Sequence, residues 1–331
     1  MNGEQTLNKP RVGFLGTGWI GRHRMAAMVA TGAIEAVAIC DPSEECRAEA
    51  AADARHAAVV ADLDDMLALG LDGVAIATPS ALHAAQAIRA LDAGVAVFCQ
   101  KPLGRSAAET QAVVDAARAA DRLLGVDLSY RHTAAMAAIA PLVRSGDLGE
   151  VFAIDLTFHN AYGPGKPWFF DPERSGGGCV IDLGVHLVDL ALWTLGFPAV
   201  DDVSAALFAK GRPLRPGEVE DYASARFRAG GADVRLACSW HLHAGRDAVI
   251  EASFYGTRGG AALRNVGGSF YDFTAEAFAG TQARTLAAPP DNWGARSAAT
   301  WAETLATDPR FDPAAEDFVQ SAAVLDRIYG R

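Results

Sequence analysis

The feature that most constrains the fold is the alternation, over the first 127 residues, of short apolar runs with alanine-rich stretches of helical length. The apolar runs are RVGFL (11–15), IEAVAIC (34–40), AAVV (57–60), GVAIA (73–77), VAVFC (95–99) and LLGVDL (123–128). Helix-compatible spacing occurs between them at residues 19–30, 43–52, 62–69, 81–93 and 106–120. The alternation predicts βαβ units in a doubly wound parallel sheet, where ligands bind beyond the carboxyl ends of the strands.

A different pattern follows Tyr130. A helix-like stretch at 133–145 precedes EVFAIDLTFH (150–159), in which apolar and polar residues alternate as in a half-buried strand. Further strands are predicted at 200–210, 221–228, 234–242 and 248–255. The sequence therefore predicts two domains: an α/β domain at residues 8–127, and an α+β domain at residues 128–331 with a large, mostly antiparallel open sheet.

Composition and charge argue against several kinds of partner. The net charge of −11 in 331 residues disfavours nucleic acid or an anionic membrane as the main partner. The polar start MNGEQTLNKP lacks the apolar core of a secretory signal, and no uninterrupted apolar run approaches the length of a membrane span. The five cysteines are scattered, odd in number and without a CxxC pair, which disfavours a disulfide framework or a cysteine-ligated zinc. We therefore expect a cytoplasmic protein.

The first predicted strand is followed by GTGWIG, a GxGxxG motif that opens a helix. Glycines there allow a tight turn and a close approach of backbone to a pyrophosphate, and the helix N-terminus favours the phosphate charge. Asp41 ends the second strand, where a carboxylate can bind the adenosine ribose and disfavours a 2′-phosphate, while the nearby Arg47 keeps NADP possible. The alternative is a packing turn with a helix-capping aspartate. We predict a Rossmann domain that binds NAD through Gly16, Gly18, Trp19, Ile20, Gly21 and Asp41.

Polar groups also follow the fourth and fifth strands, in ATPSALH (77–83) and CQKP (99–102). In the second domain, residues 176–196 predict a helix that Gly196 ends, with Asp182, His186 and Asp189 on one face. A carboxylate one turn from an imidazole suits general-base work, because it can orient the ring and stabilise its cation. The alternatives are a core histidine, or a metal site completed by His159; we predict no metal, since hydride transfer to nicotinamide needs none.

The long loop 159–178 is a second candidate for substrate binding. Asn160, Tyr162, Lys166 and Trp168 offer hydrogen bonds and a flat apolar surface suited to a sugar ring. The alternative is an ordinary connection whose aromatic side chains pack beneath it.

Together these residues resemble the glucose–fructose oxidoreductase/inositol dehydrogenase/rhizopine-catabolism (Gfo/Idh/MocA) family. The matching pieces are GTGWIG (16–21), Asp41, TPSALH (78–83), QKP (100–102), YR (130–131) and DLGVHLVD (182–189). The resemblance implies a nicotinamide-dependent enzyme that acts on a sugar-like hydroxyl or carbonyl, and a homodimer or homotetramer formed through the open sheet. On the predicted strand 234–242, the mixed face with Arg235, Ala237, Ser239 and His241 is either solvated or paired with that second subunit.

Carried over residue by residue, the resemblance implies that Lys101 is the catalytic lysine, His186 the acid/base group and Asp182 its partner or a substrate ligand. It implies a cofactor-binding wall made of Thr78, Pro79, Ser80, His83, Gln100 and Lys101. It implies substrate or hinge roles for Tyr130 and Arg131. Gln100 departs from the family's usual glutamate: it keeps a hydrogen bond and gives up the charge that would hold the neighbouring ammonium protonated.

These residues predict hydride transfer between nicotinamide and a hydroxyl or carbonyl carbon of a sugar, polyol or inositol. Two alternatives stay open. One is an enzyme with retained NAD(H) that exchanges hydride between two sugars or cleaves a glycoside after transient oxidation. The other is a non-catalytic NAD(H) sensor or scaffold, which would need neither Lys101 nor His186.

Overall fold

The computed structural model describes residues 9–331, and its first domain is built on a parallel six-stranded sheet. The strands are β1 (Arg11–Leu15), β2 (Glu35–Cys40), β3 (Ala58–Val59), β4 (Gly73–Ile76), β5 (Ala96–Cys99) and β6 (Leu124–Val126). Their order is β3-β2-β1-β4-β5-β6, so the strand order reverses between β1 and β4, which is where such folds bind ligands. The polar start at residues 1–8, including the predicted first residue of the domain, lies outside the described residues.

Five helices connect these strands: α1 (Trp19–Ala30), α2 (Glu44–Asp53), α3 (Leu63–Leu67), α4 (Ser80–Asp92) and α5 (Ala107–Ala120). Each begins and ends within two residues of its predicted bounds. Local capping explains part of this agreement, because Ser43, Asp62 and Ser106 each accept a hydrogen bond from a backbone N–H of the helix that follows.

The second domain is built on a nine-stranded sheet. Its strands are β7 (Val151–Asn160), β8 (Val200–Ala209), β9 (Arg212–Pro213), β10 (Tyr222–Ala229), β11 (Ala232–Ser239), β12 (Ala248–Gly256), β13 (Gly260–Asn265), β14 (Phe273–Ala279) and β15 (Gln282–Ala287). Their order is β15-β14-β13-β12-β7-β11-β10-β8-β9, and only β7 and β11 pair in parallel. The two sheets confirm the predicted fold class.

The second sheet differs from the prediction in two places. Four strands, the two-residue β9 and β13 to β15, are not among those predicted; charged residues interrupt the apolar residues of β13 to β15. The strand predicted at 234–242 ends at Ser239, because the chain turns at His241, whose φ is +57°. Arg235 on its mixed face pairs with Asp155 of β7, and the pairing of this face with a second subunit stays a prediction.

The helices α6 (Ala134–Arg144) and α8 (Val185–Leu195) pack on this sheet, while the short α7 (Pro172–Ser175) packs against α4 of the first domain. The helix predicted over 176–196 is interrupted: residues 176–178 are not helical, residues 180–184 form a π turn, and α8 follows. The predicted end is confirmed, with Gly196 at a φ of +78°. The segment Pro172–Leu195 is long and apolar enough to span a membrane, but 83% of its most apolar window is buried in the molecule, as expected of a core helix.

The chain then returns to the first domain. Helices α9 (Arg296–Thr307) and α10 (Asp317–Tyr329) complete the fold. Trp301 of α9 is buried against Phe98 of β5, with ring centroids 5.8 Å apart, and α10 packs on α5. The prediction of two consecutive domains did not include this return.

Candidate active site

A cleft of about 640 Å³ lies between the carboxyl ends of the first sheet and the second domain. The following residues line it: Trp19, Ile20, Arg24, Thr78, Pro79, Ser80, His83, Gln100, Lys101, Pro102, Asp127, Ser129, Tyr130, Lys166, Trp168, Phe169, Ile181, Asp182, His186 and Trp293. Most of the residues predicted for cofactor, substrate and catalysis therefore meet in one cavity, although they come from distant parts of the sequence.

The glycine-rich loop has the backbone that a dinucleotide pyrophosphate requires. Gly16 has a φ of +84°, and a Cβ there would lie 2.7 Å from the backbone of Ala77. A Cβ on Gly21 would overlap the carbonyl oxygen of Gly16, so α1 packs directly on the loop. A Cβ on Gly18 would contact the end of the flexible Lys166 side chain alone, at 3.6 Å, and no side chain caps the N-terminus of α1. A phosphate can therefore approach the first turn of this helix.

Asp41 lies at the end of β2, as predicted. Its carboxylate accepts hydrogen bonds from the backbone N–H groups of Thr17 (2.7 Å) and Ser43 (2.9 Å), which tie it to the glycine loop. Each carboxylate oxygen keeps acceptor capacity for a ribose hydroxyl. Arg47 donates to the Asp41 carbonyl oxygen (2.7 Å), which holds the guanidinium next to Asp41.

The wall after β4 is fastened to the turn after β5 by His83. Its two ring nitrogens lie 2.7 Å from the carbonyl oxygens of Thr78 and Pro102. Burial lowers the pKa of this imidazole, although both hydrogen bonds oppose the shift. The peptide bond between Lys101 and Pro102 is cis. His83 thus joins the segment after β4, which forms the cofactor-binding wall, to the turn after β5, which carries Lys101.

Lys101 is held by Asp182. Its ammonium donates to the Asp182 carbonyl oxygen (2.6 Å) and to the carboxylate oxygen Oδ1 (2.7 Å). The other carboxylate oxygen accepts from the indole N–H of Trp240 (3.0 Å). An ammonium has three N–H donors, so one remains for a substrate oxygen.

His186 also faces the cleft, but the predicted hydrogen bond with Asp182 is not formed. Asp182 lies in the π turn and is bonded to Lys101 instead. Nδ1 of His186 is buried and has no hydrogen-bond partner among residues 9–331, and the ring lies against Tyr130 with centroids 4.8 Å apart. Burial, then the positive charges of Lys101 and Arg24, lower the pKa of His186 well below its usual value. The imidazole is therefore neutral near pH 7.

The sequence prediction missed a buried polar network behind Lys101. The Asp127 carboxylate accepts from the Arg24 guanidinium (2.6 Å) and from the Gln100 carboxamide (2.5 Å) on one oxygen. Its other oxygen accepts from the hydroxyls of Ser129 (3.0 Å) and Ser297. Two signals were available in the sequence: Arg24 lies inside α1, three residues after the last motif glycine, and Asp127 directly follows β6.

Three residues predicted to bind substrate lie elsewhere. Arg131 does not line the cleft; it forms a bidentate pair with the buried Asp189, so it joins α8 to the segment after β6. Asn160 and Tyr162 also lie outside it: the Tyr162 hydroxyl donates to Asp247 (2.6 Å), and 55% of the residue's surface is exposed. Trp168 does line the cleft and stacks on Phe169. No cluster of three potential metal-binding side chains occurs in the described part of the chain.

A Rossmann sheet with a glycine-rich loop and a lysine after one of its strands, together with a second domain that brings an aspartate and a histidine to the same cleft, define a nicotinamide-dependent oxidoreductase. The chain belongs to the Gfo/Idh/MocA oxidoreductase family. The family model described as "Oxidoreductase family, NAD-binding Rossmann fold" matches residues 10–128, and the "GFO/IDH/MocA C-terminal domain" matches residues 136–262. The predicted family and cofactor class are thereby confirmed.

Individual relatives agree with this assignment. A D-glucoside 3-dehydrogenase of Escherichia coli is 31% identical over 280 residues, which cover 80% of this chain and 79% of the relative. The solved structure of a levoglucosan dehydrogenase with NADH and levoglucosan has a TM-score of 0.83 at 24% identity, covering 97% of this chain and 96% of that one. A 3-ketoreductase from Actinomadura kijaniata, solved with NADP, has a TM-score of 0.81 at 21% identity and 98% coverage of both chains. The two structures show that the fold is shared.

Proposed function

We propose that this protein is an NAD-dependent dehydrogenase that interconverts a secondary hydroxyl and a carbonyl on a sugar, polyol or inositol-like substrate. One observation carries the proposal: the free N–H of Lys101 and the ring of the neutral His186 face the same cleft, beside the predicted nicotinamide wall. The names of the relatives, a glucoside 3-dehydrogenase and a levoglucosan dehydrogenase, support a carbohydrate substrate.

In the proposed mechanism, the glycine loop and Asp41 would hold NAD, which would supply the hydride acceptor for the carbon that is oxidised. Lys101 donates a hydrogen bond to the oxygen on that carbon and orients it. His186, neutral at the working pH, takes the hydroxyl proton, and in the reverse direction it returns this proton to the carbonyl oxygen. Asp182 holds the ammonium in place, and Trp168 and Phe169 provide an apolar wall for a sugar ring.

The assignment of Lys101 and His186 is tested by Lys101→Ala and His186→Ala. Each should lower kcat by about 10²–10⁴-fold, because proton transfer and orientation of the oxygen are lost. NADH affinity, measured by fluorescence titration, should stay close to that of the wild type. Lys210→Ala, at an exposed lysine of the second domain, is the control. Near-normal turnover in both active-site variants would refute the assignment.

The substrate class is tested by a dehydrogenase screen of sugars, polyols and inositols, with NAD and NADP in parallel. Net release of NADH on addition of one compound supports a simple dehydrogenase. Product formation without net NADH release would instead indicate retained cofactor, and binding of NADH without turnover across the whole panel would indicate a sensor. For the oxidation, the acid limb of the kcat profile should lie below pH ~6.5, the usual pKa of histidine, because that of His186 is lowered.

A further inference from the structure

Lys166 of the second domain reaches across the cleft to the glycine-rich loop. A Cβ built on Gly18 would lie 3.6 Å from the Lys166 ammonium nitrogen, and no other atom would lie within 4 Å of it. Lys166 is exposed, and its ammonium forms no ion pair or hydrogen bond with any residue from 9 to 331. An unpaired cation therefore faces the open space in front of the first turn of α1.

Two arginines of α1 near this loop are already paired with carboxylates, and Arg47 donates to the carbonyl oxygens of Asp41 and Pro42. Arg22 bonds to Glu49 (2.6 Å) and Asp53 (2.7 Å), and Arg24 bonds to the buried Asp127 (2.6 Å). The pyrophosphate of a dinucleotide carries two negative charges, and the helix N-terminus supplies only about half a positive charge. Within residues 9–331, Lys166 is thus a cation near the loop whose ammonium has no hydrogen-bond partner, and it comes from the opposite domain.

The segment that carries Lys166 is anchored on the substrate side of the cleft. A 3₁₀ turn, Pro167–Phe170, follows the lysine directly. Phe169 and Phe170 lie edge-on to Trp240, with ring centroids 6.3 and 5.8 Å away, and Trp240 donates to Asp182. The backbone beside the lysine is therefore fixed, while its flexible side chain can adjust to a phosphate oxygen.

We propose that Lys166 closes over the bound dinucleotide and donates a charge-assisted hydrogen bond to its pyrophosphate. This assigns the lysine to the cofactor rather than to the sugar, in contrast to the role that the loop sequence suggested. The inference rests on one part of the proposed function, the binding of a dinucleotide at the glycine-rich loop. Its test uses binding without substrate, so that an error in the sugar assignment leaves it unaffected.

The test compares Lys166→Gln, Lys166→Arg and the control Lys210→Gln in the full chain by calorimetric titration. The probes are NADH, ADP-ribose, which keeps the pyrophosphate and lacks nicotinamide, and adenosine, which has no phosphate. Lys166→Gln should lower the affinity for NADH and for ADP-ribose by a similar factor. We expect about three- to thirtyfold, for one charge-assisted contact at a solvent-accessible site. The affinity for adenosine should stay unchanged. Lys166→Arg should restore most of the affinity, and Lys210→Gln should behave as the wild type.

Salt dependence adds an independent readout. Wild-type affinity for ADP-ribose should fall more steeply with salt than that of Lys166→Gln, because screening acts on the contact that the variant lacks. The proposal is overturned if Lys166→Gln binds ADP-ribose within twofold of the wild type. It is also overturned if Lys166→Gln lowers the affinity for adenosine as much as that for ADP-ribose, because the lysine would then stabilise the loop and would not contact phosphate.

Discussion

Gln100 is the residue at which the structure most changes the interpretation of the sequence. Its carboxamide donates to Asp127, while the ammonium of Lys101 is bonded to Asp182. Asp127 is only 1% exposed and already accepts from Arg24, so residue 100 must supply a donor. A glutamate, the family's usual residue here, would place a second carboxylate against the first. The neutral glutamine is therefore matched to Asp127, and an effect on Lys101 stays a prediction.

Gln100→Glu should accordingly lower the free energy of unfolding at pH 7 by about 1–3 kcal/mol, since a buried hydrogen bond is lost and two carboxylates meet. The folded state should raise the pKa of the new carboxyl above its unfolded value. The loss should therefore be largest above the folded pKa and become smaller as the pH falls through it. Urea unfolding at pH 7 and pH 5 measures both effects.

Gln111→Glu is a matched control, because Gln111 donates to Asp115 (2.9 Å) in the same way on an exposed helix surface. Solvent there screens the two carboxylates, so this variant should change stability little. Equal losses in the two variants, or a loss at position 100 that does not vary with pH, would contradict the role given to Asp127.

At the scale of elements, local signals predicted the first domain well and the segment that carries Asp182 poorly. The helices α1 to α5 follow from periodicity and from caps a few residues away. The π turn before α8 depends on a distant residue: the buried Glu220 accepts from the backbone N–H groups of Gly178 (3.0 Å) and Val180 (2.9 Å). The hydroxyl of Tyr329 donates to the same carboxylate (2.7 Å). No local sequence pattern reveals such contacts. The prediction therefore assumed a regular helix, in which Asp182 and His186 lie side by side.

Glu220→Gln should therefore destabilise the protein by about 1.5–3 kcal/mol, because an amide nitrogen replaces an acceptor of charge-assisted hydrogen bonds. Lower turnover should accompany the loss, since Asp182 and His186 both follow this helix start. Denaturant titration and kcat measure the two effects. Glu218→Gln, two residues away at a half-exposed pair with Arg212, is the control and should lose less stability than Glu220→Gln. A Glu220→Gln protein as stable as this control would show that the carboxylate does not hold the turn.

For the whole molecule, the prediction gave the two sheets and missed how the chain joins them. The predicted domain at residues 128–331 includes α9, because an amphipathic helix does not show in its own sequence which surface it covers. The signal lay far away, in glycines of the first sheet. Cβ atoms on Gly73 of β4 and Gly125 of β6 would lie 2.8 and 2.6 Å from the Trp301 ring. The two glycines therefore leave the space that Trp301 of α9 fills, on the strands on either side of Phe98 in β5.

Trp301→Ala tests whether this return of the chain holds the molecule together. Removing the indole leaves a cavity between α9 and the first sheet, which typically costs about 3–5 kcal/mol. Trp301→Phe should lower the free energy of unfolding by less than half as much, because an aromatic ring still fills most of the space. It also removes a buried indole N–H that has no partner among the described residues. Thermal unfolding should show a lower midpoint for Trp301→Ala, with weaker NADH binding because the first sheet loosens. An unchanged midpoint for Trp301→Ala would mean that α9 only covers the Rossmann sheet and does not stabilise it.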